Sequence, residues 1–153
     1  MLVTGPFENR NFRVKWDGKY VSGISKVTGL QWSTQVVLER DGGSPIEQSG
    51  PGRSTLAQLG LERGVTTDPT FENWAQAVMG TSVKLVGVLK DLVIEIYDPA
   101  GALAVAYNVY RCWPASYEAL SVLDAEGSAY VVERLVLEYS SFQRDQSIPA
   151  PGV

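Results

Sequence analysis

Apolar and polar residues alternate along most of this chain. Phe12, Val14 and Trp16 recur at every second position. Asp17-Gly18 follows, a pair suited to a two-residue hairpin turn because both positions tolerate positive φ. Tyr20 to Ile24 reads as the returning strand, and Val27 to Leu30 leads into a long extended segment, Gln31 to Arg40. Thr55 to Arg63 is again strand-like, with Leu59 and Leu61 on one face. From Asp91 to Asp98, Leu92, Ile94 and Ile96 oppose Val93, Glu95 and Tyr97. Pro99-Ala100-Gly101 turns the chain into Ala102 to Cys112, where Leu103, Val105, Tyr107 and Val109 share a face. Trp113-Pro114 is expected to end that strand, since proline donates nothing to a ladder. Ala115 to Val122 fits either a short strand or a helical turn, and Leu123 to Gly127 is turn-like. Ala129 to Ser140 is a long strand with Val131, Glu133, Leu135, Leu137 and Tyr139 facing one way.

One segment has helical rather than strand spacing. Phe71, Trp74, Ala75 and Val78 recur at i, i+3, i+4 and i+7, a single apolar stripe. Asp68 stands at the N-cap, Pro69 at the first helical position and Glu72 in the first turn, and Gly80 supplies a stop. The helix is therefore expected over 68–79, its stripe packed on the protein's own sheet. The alternation collapses in Asp41 to Ser54, which is rich in glycine and proline. Such a length of chain is expected as a long inter-strand loop, either a surface turn or a functional one. Many short strands with one helix predict a mainly β fold: an antiparallel β-sandwich or barrel-like domain with one flanking helix, spanning 1–153 as a single unit.

Composition narrows the function. With 153 residues, 44% apolar and 20% charged, the chain can bury a core of its own. A formal charge of −4 argues against tight nucleic-acid binding through a basic patch. Cys112 is the only cysteine, so neither an internal disulfide nor a cysteine cluster around zinc is available. The start of the chain lacks a secretion-signal pattern, and Lys84, Lys90 and Asp91 break the longest apolar stretch; a cytoplasmic product without a membrane anchor is expected. Histidine is absent, which removes the commonest general base, the imidazole ligand and the histidine-dependent triads.

Candidate chemistry is thin. Gly50 to Thr55 resembles a phosphate loop only superficially, because the lysine is missing and Glu47 stands where the first glycine belongs. Cys112 has no histidine to activate it and reads as a buried structural thiol. Asp124, Glu126, Glu133 and Glu138 show no spacing that singles out an acid/base pair and read as a solvated face. No catalytic, metal or cofactor site is expected.

The ordered set of landmarks does carry a resemblance. Phe12-Arg13-Val14, Asp17-Gly18, Val21-Ser22-Gly23 and Val27-Thr28-Gly29-Leu30 lead into Arg40-Asp41-Gly42-Gly43. Leu61-Glu62-Arg63-Gly64-Val65-Thr66, Asp68 and Trp74 follow. Next come Asp98, Gly101, Trp113-Pro114, Leu123-Asp124-Ala125 and the run Val132 to Glu138. From Asn11 to Arg144 the chain resembles the tail tube (inner tube) proteins of contractile phage tails and extracellular contractile injection systems. It departs at Ser49-Gly50-Pro51-Gly52-Arg53 and in the tail, 143–153.

The resemblance implies a virion structural protein that assembles into hexameric rings stacked as a tube. DNA or protein cargo would pass through the channel without specific binding. Sheath, baseplate or tube-initiator, and tail-terminator proteins would be its partners. The loop over 41–54 would then be an assembly loop, with Asp41, Gly42, Gly43, Gly50, Pro51, Gly52 and Arg53 as candidate interface residues. Synthesis in the host or producer cytoplasm would precede incorporation into the particle. Two rival readings stand beside this one: a tube-initiator subunit, distinguished by copy number, and a small-ligand-binding β-barrel, distinguished by a monomer with an apolar pocket.

Overall fold

The computed structural model of the chain describes residues 11–39, 42–43, 46–79, 87–127 and 130–148. Strand β1 (Phe12–Trp16) turns through Asp17 and Gly18, at φ 53° and 72°, into the short β2 (Lys19–Tyr20). Two successive positive φ values give the hairpin its type I′ twist, as the Asp-Gly pair predicts. The expected return strand stops at Tyr20, and the chain re-enters a sheet as β3 (Ile24–Thr28). Thr55 to Arg63 is divided between β5 (Gln48–Leu56) and β6 (Leu59–Gly64), with Ala57 and Gln58 at the break.

Three further strands complete the body: β7 (Lys90–Tyr97), β8 (Leu103–Glu118) and β9 (Val132–Glu138), followed by the short β10 (Ser141–Arg144). The order is β2-β1-β7-β8-β9-β6-β3 with β10 beside β8, and the pairings are antiparallel.

Strand β8 does not end at Trp113-Pro114. Its first part pairs with β7 and β10, and from Trp113 onward it pairs with β9. Two irregularities make the transfer possible. Lys90 pairs with Cys112 and Leu92 with Val109, so Asp91 faces one residue too many. Arg111 takes up the excess at φ 57°, and its N–H donates to Asp91 Oδ1 at 3.0 Å. This bulge inverts the alternation, so Val109 points inward before it and Cys112 and Pro114 after it. The second register shift falls between Pro114 and Ser116, and a bulge is a place where a strand tolerates proline.

The core is built where the two halves of this sheet face each other. Val14, Trp16, Leu92, Ile94, Val109 and Cys112 come from one half; Leu59, Leu61, Leu135, Leu137 and Tyr139 come from the other. Helix α1 (Thr70–Met79) adds Phe71, Trp74 and Ala75. Trp16 lies against Phe71 and Trp74, with ring centroids 6.0 and 5.1 Å away. Asp68 caps the helix: its Oδ1 accepts the Thr70 N–H at 3.2 Å and the Thr70 hydroxyl at 2.5 Å. The fold is mainly β, antiparallel, with one flanking helix, as the alternation predicts. Gly80, assigned above as the helix stop, and 149–153 of the tail lie outside the described residues.

Candidate subunit interface

One part of the molecule stands apart from the core. Strand β4 (Trp32–Glu39) pairs with β5 in a two-stranded sheet of its own, joined to neither half of the sandwich. Every residue of β4 is exposed. The ribbon is fixed at its root: the Ala57 N–H donates to the Gln31 carbonyl at 2.8 Å, and Trp32 lies 5.5 Å from Phe142 of β10. Gly29 and Leu30, at φ 123° and 54°, turn the chain into it. A β-carbon on Gly29 would sit 2.7 Å from the Gln58 carbonyl oxygen, so the root closes only around glycine.

From Gln48 onward the segment expected as a loop is therefore strand. Pro51 lies opposite Val36 and Gly50 opposite Val37. Glycine and proline hide a strand from pattern reading, but a ribbon edge needs no donor at every residue. Thr34 pairs with Ser54 and Val36 with Pro51, which puts the extra residue of a bulge in β5. Gly52 sits there, where a β-carbon would come within 2.8 Å of Val37 Cγ2. Cross-strand hydroxyls join Ser33 to Thr55 at 3.4 Å and Thr34 to Ser54 at 2.7 Å.

Of the residues the sequence marks for assembly, Gly50, Pro51, Gly52 and Arg53 lie in β5, and Gly42 and Gly43 form an exposed turn. Asp41 lies outside the described residues. Sequence reasoning read the opposite strand as extended, over Gln31 to Arg40, but did not mark it for assembly. Trp32, Thr34, Val36 and Leu38 share one face of the ribbon, and Trp32, Val36 and Leu38 are 64%, 68% and 66% exposed. The alternation was visible in the sequence. What was not visible is that none of the described residues covers it. A lone two-stranded ribbon is marginal in water, and an apolar face on it calls for a surface to lie against.

The buried polar groups do structural work. Arg63 is fully buried; its Nε donates to Glu133 Oε1 at 2.7 Å, and its remaining nitrogens donate to Asp68 Oδ2 at 3.0 Å and to the Asp68 carbonyl at 2.8 Å. The Tyr117 hydroxyl donates to Glu133 Oε2 at 2.6 Å. Burial, then the bond to Glu133, push the Tyr117 hydroxyl up to about 12. Glu133 is thus not on the solvated face where the sequence reading placed it, because Arg63 and Tyr117 satisfy it inside. Asp124 and Glu126 are exposed. Cys112 is fully buried, and burial, reinforced by the charge of Asp91, raises its thiol to about 12, so it is not a nucleophile at neutral pH. Among the described residues no three His, Cys, Asp or Glu side chains come together as a metal site, and no helix is long and apolar enough to cross a membrane.

Comparison with known proteins agrees with this geometry. No curated protein sequence matches the chain. Among solved structures, a chain of the PVC extracellular contractile injection system sheath–tube complex in its extended state superposes with TM-score 0.77 at 22% identity, covering 92% of this chain and 91% of that one. A chain of the PVC sheath/tube terminator gives 0.79 at 23%, covering 94% and 99%. Hcp1 from Flavobacterium johnsoniae is more distant, at 0.52 and 12%, covering 88% and 94%. At these identities the likeness is one of fold. The sequence profile of the T4-like virus tail tube protein gp19 matches residues 8–143, nearly the whole chain, and the protein belongs to that tail tube family, whose members are structural subunits and not enzymes.

Proposed function

We propose that this tail tube subunit assembles into hexameric rings stacked around a central channel, and that the β4–β5 ribbon is the arm by which each copy holds another. The observation that carries the reading is the exposed apolar face of Trp32, Val36 and Leu38 on a ribbon that, among the described residues, is held at its root. A ring needs a heterologous contact, in which one patch meets a different patch, and a second such contact stacks the rings into an open tube. Among the described residues β3 and β10 each pair with a single strand, leaving backbone groups that a neighbour's strand can pair with.

Related chains occur in a sheath–tube complex, a tube-terminating cap and a baseplate. By analogy, sheath, baseplate and terminator proteins are the partners proposed here. The chain would be made in the cytoplasm and then built into a tail or injection particle. The net charge of −4 suits a conduit through which DNA or protein slides without adhering.

The double substitution Val36→Asp with Leu38→Asp tests the arm. The expected product is a folded subunit, with unchanged circular dichroism, that no longer adds to seeded tubes seen by electron microscopy. Normal tube growth by the variant beside a wild-type control would remove the ribbon from the assembly contact.

A further inference from the structure

A second apolar surface lies outside the core. The connection from β8 to β9 exposes Leu120, Val122, Leu123 and Tyr130, the last three at 71%, 69% and 92%, with Val65 half-exposed beside them. The connection is tied down: the Ser121 hydroxyl accepts the Val132 N–H at 3.0 Å, and the Val65 N–H donates to the Val131 carbonyl at 3.2 Å.

The register places this surface relative to the ribbon. Strand β6 begins at Leu59, against the ribbon root at Gly29 and Gln58. It ends at Gly64, which pairs with Val132 at the start of β9. Glu118, the last residue of β8, pairs with Arg134 on the same side. The ribbon therefore leaves one end of the β8–β9–β6–β3 half-sheet and the apolar connection caps the other. The two are separated by the length of β6, roughly 20 Å at about 3.3 Å per residue.

We infer that residues 119–127 and 130–131 of the connection are the seat for the β4–β5 ribbon of a second copy, so that subunits join end to end with Trp32, Val36 and Leu38 laid against Val122, Leu123 and Tyr130. The inference rests on the reading of the ribbon as the assembly arm and names what the arm grips. Two unlike apolar surfaces at opposite ends of one chain make a head-to-tail contact that repeats without closing, the geometry of a stack. Neither surface needs to meet a copy of itself. The charges also fit: Arg53, midway along the ribbon, offers a cation to the exposed Asp124 and Glu126, while Glu39 and Glu47 lie toward the tip.

The test is a cross-link between copies. Val36→Cys and Leu123→Cys variants are co-expressed and the assembled tubes are treated with a short bismaleimide. Buried Cys112 does not compete. The expected result is a two-chain product that requires both variants and an assembled tube. Leu123→Asp with Val122→Asp is expected to leave a folded subunit that does not extend a tube. Tubes that form from the mixture without cross-linking, together with normal tubes from the Val122/Leu123 variant, would overturn the seat. If the Val36/Leu38 aspartate variant still fails to assemble in that case, the arm stands and only its partner surface is wrong. If that variant assembles, the arm itself is wrong.

Discussion

Arg63 and Glu133 are direct cross-strand partners on β6 and β9, and the guanidinium Nε donates to the Glu133 carboxylate at 2.7 Å with both side chains inside the protein. The same guanidinium reaches Asp68 at the helix cap and lies 4.1 Å from the Phe71 ring centroid. One cation thus ties the half-sheet to the helix start.

Glu133→Ala leaves that cation buried without its closest counter-charge, and is expected to destabilise the fold by about 3–5 kcal/mol. Arg63→Met with Glu133→Leu removes both members of the buried pair and is expected to cost less than the single changes Arg63→Met and Glu133→Leu summed, since neither member stays buried without the other; Asp68, part-exposed, keeps its bonds from Thr70. Denaturant unfolding of the two single variants and the double variant measures the coupling. Additive losses would show that the pair is not a unit.

Asp68 sets an acid limit. The Thr70 hydroxyl bond holds its carboxyl below its usual range; burial opposes this, and the weaker bond from Arg63 adds to the lowering. A carboxyl depressed in the folded state contributes its full stability above its unfolded value, near 3.8, and loses it as pH falls through the folded value. Asp68→Asn is therefore expected to lower the melting temperature at pH 6. Wild type and variant should converge as pH drops below about 4. Thermal melts from pH 6 to 2 read this directly, and a constant gap across that range would exclude titration of Asp68 as the source.

At the ribbon root, Gly29→Ala places a β-carbon against the Gln58 carbonyl at φ 123°, a conformation L side chains rarely adopt. A loss of about 1–3 kcal/mol is expected, together with faster proteolysis of the ribbon. Gly50→Ala, whose β-carbon meets nothing, serves as the tolerated control. Equal effects at the two positions would show that the close approach at Gly29 does not matter.

Local signals carried some of these elements and tertiary context decided the rest. The Asp17-Gly18 turn and the capped helix were legible because both depend on adjacent residues. So was the inward face of Leu135, Leu137 and Tyr139. The continuation of β8 through Pro114 was not, because it depends on β9 arriving to pair just where β7 and β10 leave off. The strand character of Gly50 to Arg53 was hidden likewise, being set by Val36 and Val37 across the ribbon. Arg63 shares alternation with Leu59 and Leu61, a sign of its burial that its charge obscured.

The 16-residue strand β8 is shared by both halves of the sandwich. In a two-layered fold under load, the failure to fear is slippage of one layer over the other. Here that shear would have to stretch a continuous peptide chain as well as part hydrogen bonds, so each subunit carries a covalent tie rod across its own seam.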